Sequence, residues 1–271
     1  MDSDFPIEEV CLRDIFRWPG NGDPAFDNVR DIYIAPDGRI FLAANHQQER
    51  VVCLDELLQP HLLPGNFFWQ VDNPSTIDGY QGGLLVGDAD KDKLMEYPFD
   101  GSREWFANKD RHLRITIPHL SRVRVSEKKV YALTGVGDSI HQEFYLFFPE
   151  GTESSPLPRT LDIAFAGKDR YALRWNDDGW YIECVDDLKA IPVPLERAFG
   201  FDAHPSGGFA VSGYAKNSTG FLVVPPDGTK QTWVPTSFSR IEAMRVDPNG
   251  RIVAVGYKGK KSYLARLSIP Q

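Results

Sequence analysis

The stretch "NVRDIYIAPDGRIFLAAN", Asn28–Asn45, decides the fold. Apolar and polar residues alternate up to Ile34, break at Pro36-Asp37-Gly38, and alternate again from Ile40, which reads as two strands around a tight turn. Proline pre-sets the entry to such a turn and glycine supplies the positive φ it needs. Nearly the same phrase returns as "SRIEAMRVDPNGRIVAVGY", Ser239–Tyr257. A third turn, Pro205-Ser206-Gly207, stands 43 residues before Pro248. Pro36 and Pro205 are 169 residues apart, room for about four units of that length. Degenerate copies begin at Ser75, Ser121 and Thr160.

Two further strand-like runs follow each first pair, such as "KLMEYPF" from Lys93 with "REWFA" from Arg103, and "GFLVVP" from Gly220 with "KQTWVP" from Lys230. Four strands per unit of about 40–45 residues is the signature of a β-propeller blade. The expectation is an all-β, six-bladed β-propeller of four-stranded antiparallel blades, a single domain over residues 1–271. The blades fall at approximately 28–72, 73–118, 119–158, 159–196, 197–237 and 238–271. The last unit has only three strands, so the alternating N-terminal segment 7–16 is expected to complete it and close the ring, leaving no free edge. "LDELLQP", Leu54–Pro60, is expected to be a helical turn.

Composition narrows the function classes. A net charge of −8 argues against nucleic acid and against anionic membrane as partners, and favours a basic protein. Cys11, Cys53 and Cys184 are odd in number, far apart and form no Cys-x-x-Cys, so buried thiols in a reducing compartment are expected. The acidic N-terminus lacks the apolar segment of a signal peptide, and no run nears the ~18 apolar residues of a membrane span; the expected location is cytoplasmic.

"IYIAPDGRIFLA", Ile32–Ala43, resembles the repeats of six-bladed propellers of the NHL and SMP-30 gluconolactonase-like superfamily. The resemblance implies a divalent metal, usually calcium, at the central tunnel, held in part by the glutamate of a Glu-Gly-Pro motif opening the first blade. Here Val29-Arg30-Asp31 stands in that place, and only Asn28 and Asn73 lie near the positions of the family's asparagines.

Counting back from each turn puts Asn28, His119, Arg159, Arg197 and Arg240 at one register, with Arg30 and Arg122 within two residues of it. Converging arginines would form a positive mouth for a carboxylate, a phosphate or an acidic side chain, because the planar guanidinium pairs with such groups bidentately. The alternative is that each pairs with a neighbouring acid such as Asp31, Asp162, Glu196 or Glu242. Loops between second and third strands should share that face: Asn45–Arg50, Gly135–Glu143, and "YAKNST" and "YKGKKS", which place Tyr214, Tyr257 and Lys258 there. "DADKD", Asp88–Asp92, lacks the glycine and glutamate of a calcium loop and reads as an acidic turn. Of the six histidines, His46, His119 and His141 are expected on the binding face and His204 in a structural role. No nucleophile elbow and no phosphate-cradling loop occurs.

The reading these observations favour is a non-enzymatic binding propeller, such as an inhibitor or immunity protein meeting a basic toxin or enzyme, with no cofactor. The alternative is a metal-dependent lactonase or esterase-type hydrolase with calcium at the tunnel.

Overall fold

The structure is a computed structural model that describes residues 6–16, 28–44, 50–61, 63, 68–71, 73–88, 93–99, 104–105, 117, 120–135, 143–148 and 151–268. It is all-β, with a propeller arrangement of antiparallel sheets. Among the described residues six sheets form, following one another along the chain except that the last also takes the N-terminal strand, and the chain divides into two compact units. Asp27–Arg159 holds the first three sheets. Met1–Phe26 with Thr160–Gln271 holds the last three.

Five sheets have four strands. The first sheet has five, because both Pro60–His61 and Phe68–Gln70 pair with Arg50–Leu54. In the last sheet, the N-terminal strand Ile7–Cys11 runs antiparallel to Lys261–Leu267, with Ile7 opposite Leu267 and Cys11 opposite Tyr263. That strand is shorter than the expected 7–16. At Leu12, which is wholly buried, the chain leaves the ladder and makes the single turn of helix Leu12–Ile15.

The Pro-x-Gly turns hold as read. Ala35 donates to Arg39 O (2.8 Å) and Gly38 to Ala35 O (2.9 Å), and the same pair of bonds recurs at His204/Gly208 and Asp247/Arg251. The expected helical turn at Leu54–Pro60 is instead another copy of this turn. Asp55 Oδ1 accepts the amides of Leu57 and Gln59, both at 2.9 Å, and Leu58 takes the left-handed φ of 59° that glycine takes elsewhere. A carboxylate that satisfies two turn amides competes directly with the helix. The third sheet lacks the Pro-x-Gly signal because Glu127-Lys128, with φ of 49° and 66°, forms a two-residue hairpin of the type whose two positive φ values match strand twist.

The core lies between adjacent sheets of each unit. Phe41, Ile77 and Val86 pack the first sheet on the second. Phe201, Phe209 and Leu173 pack the fourth on the fifth. Each such side chain, fully buried, contributes roughly 1.5–3 kcal/mol of transfer free energy. Cys53 and Cys184 lie buried, Cys11 is half-buried, and all three are free thiols.

Candidate functional site: the bulged first strands

Every sheet breaks register once in its first strand, and always at the same place. The breaks lie between Val29 and Asp31, Pro74 and Thr76, Leu120 and Arg122, Thr160 and Asp162, Ala198 and Gly200, and Ile241 and Ala243. The extra residues are Arg30, Ser75, Ser121, Leu161, Phe199 and Glu242. A bulge leaves its extra residue unpaired and re-aims the side chains beside it, which is why bulges accompany functional sites.

Just past the bulge, carboxylates lace neighbouring sheets together. Asp31 Oδ2 accepts from Thr76 Oγ1 (2.7 Å), Ile77 N (3.2 Å) and Arg124 Nη1 (2.9 Å). Thr76 Oγ1 in turn accepts from Val123 N at 2.8 Å. Asp31, Thr76 and Arg124 are all buried. The other unit carries the same plan at the same register: buried Arg245 of the sixth sheet faces buried Asp162 of the fourth, 3.8 Å apart. The middle sheets match as well. Asp78 Oδ2 accepts Val125 N (2.7 Å) and Asp202 Oδ2 accepts Val246 N (2.9 Å). Each of these four aspartates also accepts the amide of its own successor, at 2.8–3.0 Å. These carboxylates are committed to joining sheets.

Arg30, Arg122 and Arg159 are half-buried in the first unit, and Arg122 Nη1 donates to Ser121 O at 3.0 Å. Arg159 holds a left-handed φ of 54°, as do Asn28 (62°) and Asn73 (36°), each directly before a first strand. Arg197 and Arg240 are exposed at the starts of the fifth and sixth sheets' first strands. Tyr214 stands opposite Arg197, and Tyr257 opposite Arg240. Lys258 is drawn onto Glu9 of the N-terminal strand and lies over the rings of Phe238 and Tyr263. His119, His46, His141 and most of the Asn45–Arg50, Asp88–Asp92 and Gly135–Glu143 loops lie outside the described residues. His204 bridges two turns, with Nδ1 at Ser206 Oγ (2.7 Å) and Nε2 at Gly250 O (3.0 Å). The bulge itself escaped the sequence reading; its only trace is the conserved spacing between strand start and turn.

The described residues do not fit a divalent metal. Among them no three His, Cys, Asp or Glu side chains come together. A guanidinium stands where the resemblance puts a glutamate, and the adjacent Asp31 carboxylate is taken up by Thr76, Ile77 and Arg124. Among the described residues no helix is long and apolar enough to cross a membrane.

No protein-family model matches this sequence, and no curated protein matches it. Solved structures do match. A gluconolactonase from Xanthomonas campestris superposes with a TM-score of 0.64 at 12% identity, covering 90% of this chain and 88% of its own. A luciferin-regenerating enzyme gives 0.68 at 8%, covering 97% and 96%. A calcium-binding regucalcin from Agrobacterium tumefaciens gives 0.64 at 10%, covering 90% and 92%. These likenesses establish the β-propeller fold. They also correct the expectation of a non-enzymatic binding or inhibitor protein: a gluconolactonase and a putative gluconolactonase are among the matched structures, and they favour the hydrolase alternative.

Proposed function

We propose that this protein is a hydrolase of lactones or related esters, acting at the bulged first strand of its first sheet, where Arg30 stands. The observation that carries the reading is the match to a gluconolactonase, which extends over 90% of this chain. Hydrolysis of such a substrate needs positive charge or hydrogen-bond donors where the carbonyl oxygen becomes an oxyanion. In this reading Arg30, the extra residue of the first bulge, supplies that charge where the resemblance places a metal ligand. Because the described residues do not fit calcium, no step is drawn through a metal. The free thiols accord with a reducing compartment, and the cytoplasm is the proposed location.

The test is hydrolysis of a panel of aliphatic lactones and aryl esters, run with added calcium and with chelator. Turnover above the buffer rate is expected for at least one substrate. Arg30→Gln should lower kcat by about 100-fold if it stabilises the oxyanion. No turnover of any substrate under either condition would remove the reading.

A further inference from the structure

The fifth and sixth sheets carry a second arrangement that the hydrolytic reading does not use. Arg197 and Arg240 begin neighbouring first strands, each three residues before the residue that resumes the ladder after the bulge, Gly200 and Ala243. The two strands lie side by side: Asp202 Oδ2 takes the amide of Val246, and a Cβ built on Gly200 would meet Met244 Cγ at 3.3 Å. The two arginines therefore sit at the same end of adjacent strands.

Each is braced by the extra residue of its own bulge, two positions on. The Arg197 guanidinium lies over the Phe199 ring, 5.6 Å from its centroid. Arg240 Nε donates to Glu242 Oε1 at 2.7 Å. The bracing carboxylate is 6% exposed and the arginine 61% exposed, so the charge is held from below and presented outward. Among the described residues Arg197 forms no ion pair. Bracing matters because an arginine held in place loses less rotamer entropy when it captures a ligand.

The geometry points to a clamp for an oxyanion, in which Arg197 and Arg240 together bind the carboxylate or phosphate of a small polar ligand. Two adjacent planar forks suit the paired oxygens of either group. The inference stands apart from the hydrolase reading: it concerns a ligand of the unit that holds the fifth and sixth sheets.

The test is isothermal titration calorimetry with three probes: glucuronate, glucose 6-phosphate and glucose. At least one anion should bind, more weakly as salt rises, and glucose should not. Whichever anion binds identifies the group recognised. Arg197→Gln and Arg240→Gln should each weaken that anion about tenfold or more. Arg197→Lys should recover only part, since a point charge cannot replace the fork. Circular-dichroism melts should stay unchanged in Arg197→Gln, whose side chain is exposed, whereas Arg240→Gln should melt somewhat lower because Glu242 loses a partner, with the fold retained at the titration temperature. Failure of both anions to bind, or equal binding by wild type and both glutamine variants, overturns the clamp. The two readings fail separately. Anion binding without turnover of any lactone leaves the clamp and removes the hydrolase; turnover without anion binding does the reverse.

Discussion

Asp31 in the first sheet and Arg124 in the third are joined at 2.9 Å although a whole sheet separates them in sequence, and each side chain is at most 6% exposed. Asp162 and Arg245 occupy the equivalent places in the other unit. Burying such a pair costs several kcal/mol of desolvation per ion, so the pair is held by completeness: the carboxylate also takes a hydroxyl and backbone amides. Removing one partner strands the other.

The Asp31 pair should therefore be intolerant of single substitution. Arg124→Met leaves Asp31 charged and buried, and should cost about 3–5 kcal/mol in a denaturant titration. A double-mutant cycle with Asp31→Asn should show coupling well above 1 kcal/mol. A cost under 1 kcal/mol for Arg124→Met would show that the pair does not hold the sheets.

The aspartates of the middle sheets act as latches to the next sheet. Asp202→Ala orphans the part-buried amide of Val246 and should cost about 1–3 kcal/mol, the bond being to a charged acceptor, with Asp78→Ala similar through Val125. Amide exchange at Val246 should accelerate in Asp202→Ala. Unchanged protection there would mean that the bond contributes nothing.

Gly213 and Gly256, 43 residues apart, sit opposite the first pair of their bulges. A Cβ on either would meet backbone oxygen: Arg197 O at 2.5 Å and Arg240 O at 2.6 Å. Gly256→Ala should cost about 1–3 kcal/mol by overpacking and weaken the anion clamp as Arg240 is displaced. Gly82→Ala is a contrasting control: a Cβ there meets nothing within 4 Å, so its cost comes from its positive φ and the clamp should be unaffected.

Alkaline pH should destabilise the protein. Burial pushes the Cys53 thiol from 9.0 up to about 12, and burial with help from Asp78 and Asp37 raises the Tyr33 phenol from 10.0 to about 12. Both groups hold their protons more tightly folded than unfolded. Their contribution is thus complete below pH 9 and is lost as pH climbs toward 12. Denaturation midpoints between pH 8 and 11 should fall, and the fall should flatten in Cys53→Ala combined with Tyr33→Phe. In native protein at pH 8, Ellman's reagent should meet Cys11 well before Cys53.

The repeat was legible in the chain because the side-chain period of a strand and the chemistry of a Pro-x-Gly turn are local. Asn28–Asn45 alone states strand, turn, strand, and its recurrence near residue 205 and near residue 248 states the blade. The same local logic gave the completing N-terminal strand, since Ile7–Cys11 alternates. It misread Leu54–Pro60, where the Asp55 side chain decides between helix and turn and composition does not.

What the chain did not show was which charges are spent. Asp31, Asp78, Asp162 and Asp202 look like candidate ligands or bases, yet each accepts its successor's amide and reaches an amide or an arginine of another sheet. Arg124 and Arg245 look no different in sequence from Arg197, yet two are buried in ion pairs and one stands exposed on a phenyl ring. Their partners lie 40 to more than 90 residues away, and only the packing of one sheet on the next brings them within bonding distance. Sequence alone determined the fold through short-range periodicity. Tertiary structure decided the site, because a charge becomes structural or functional according to what packs beside it.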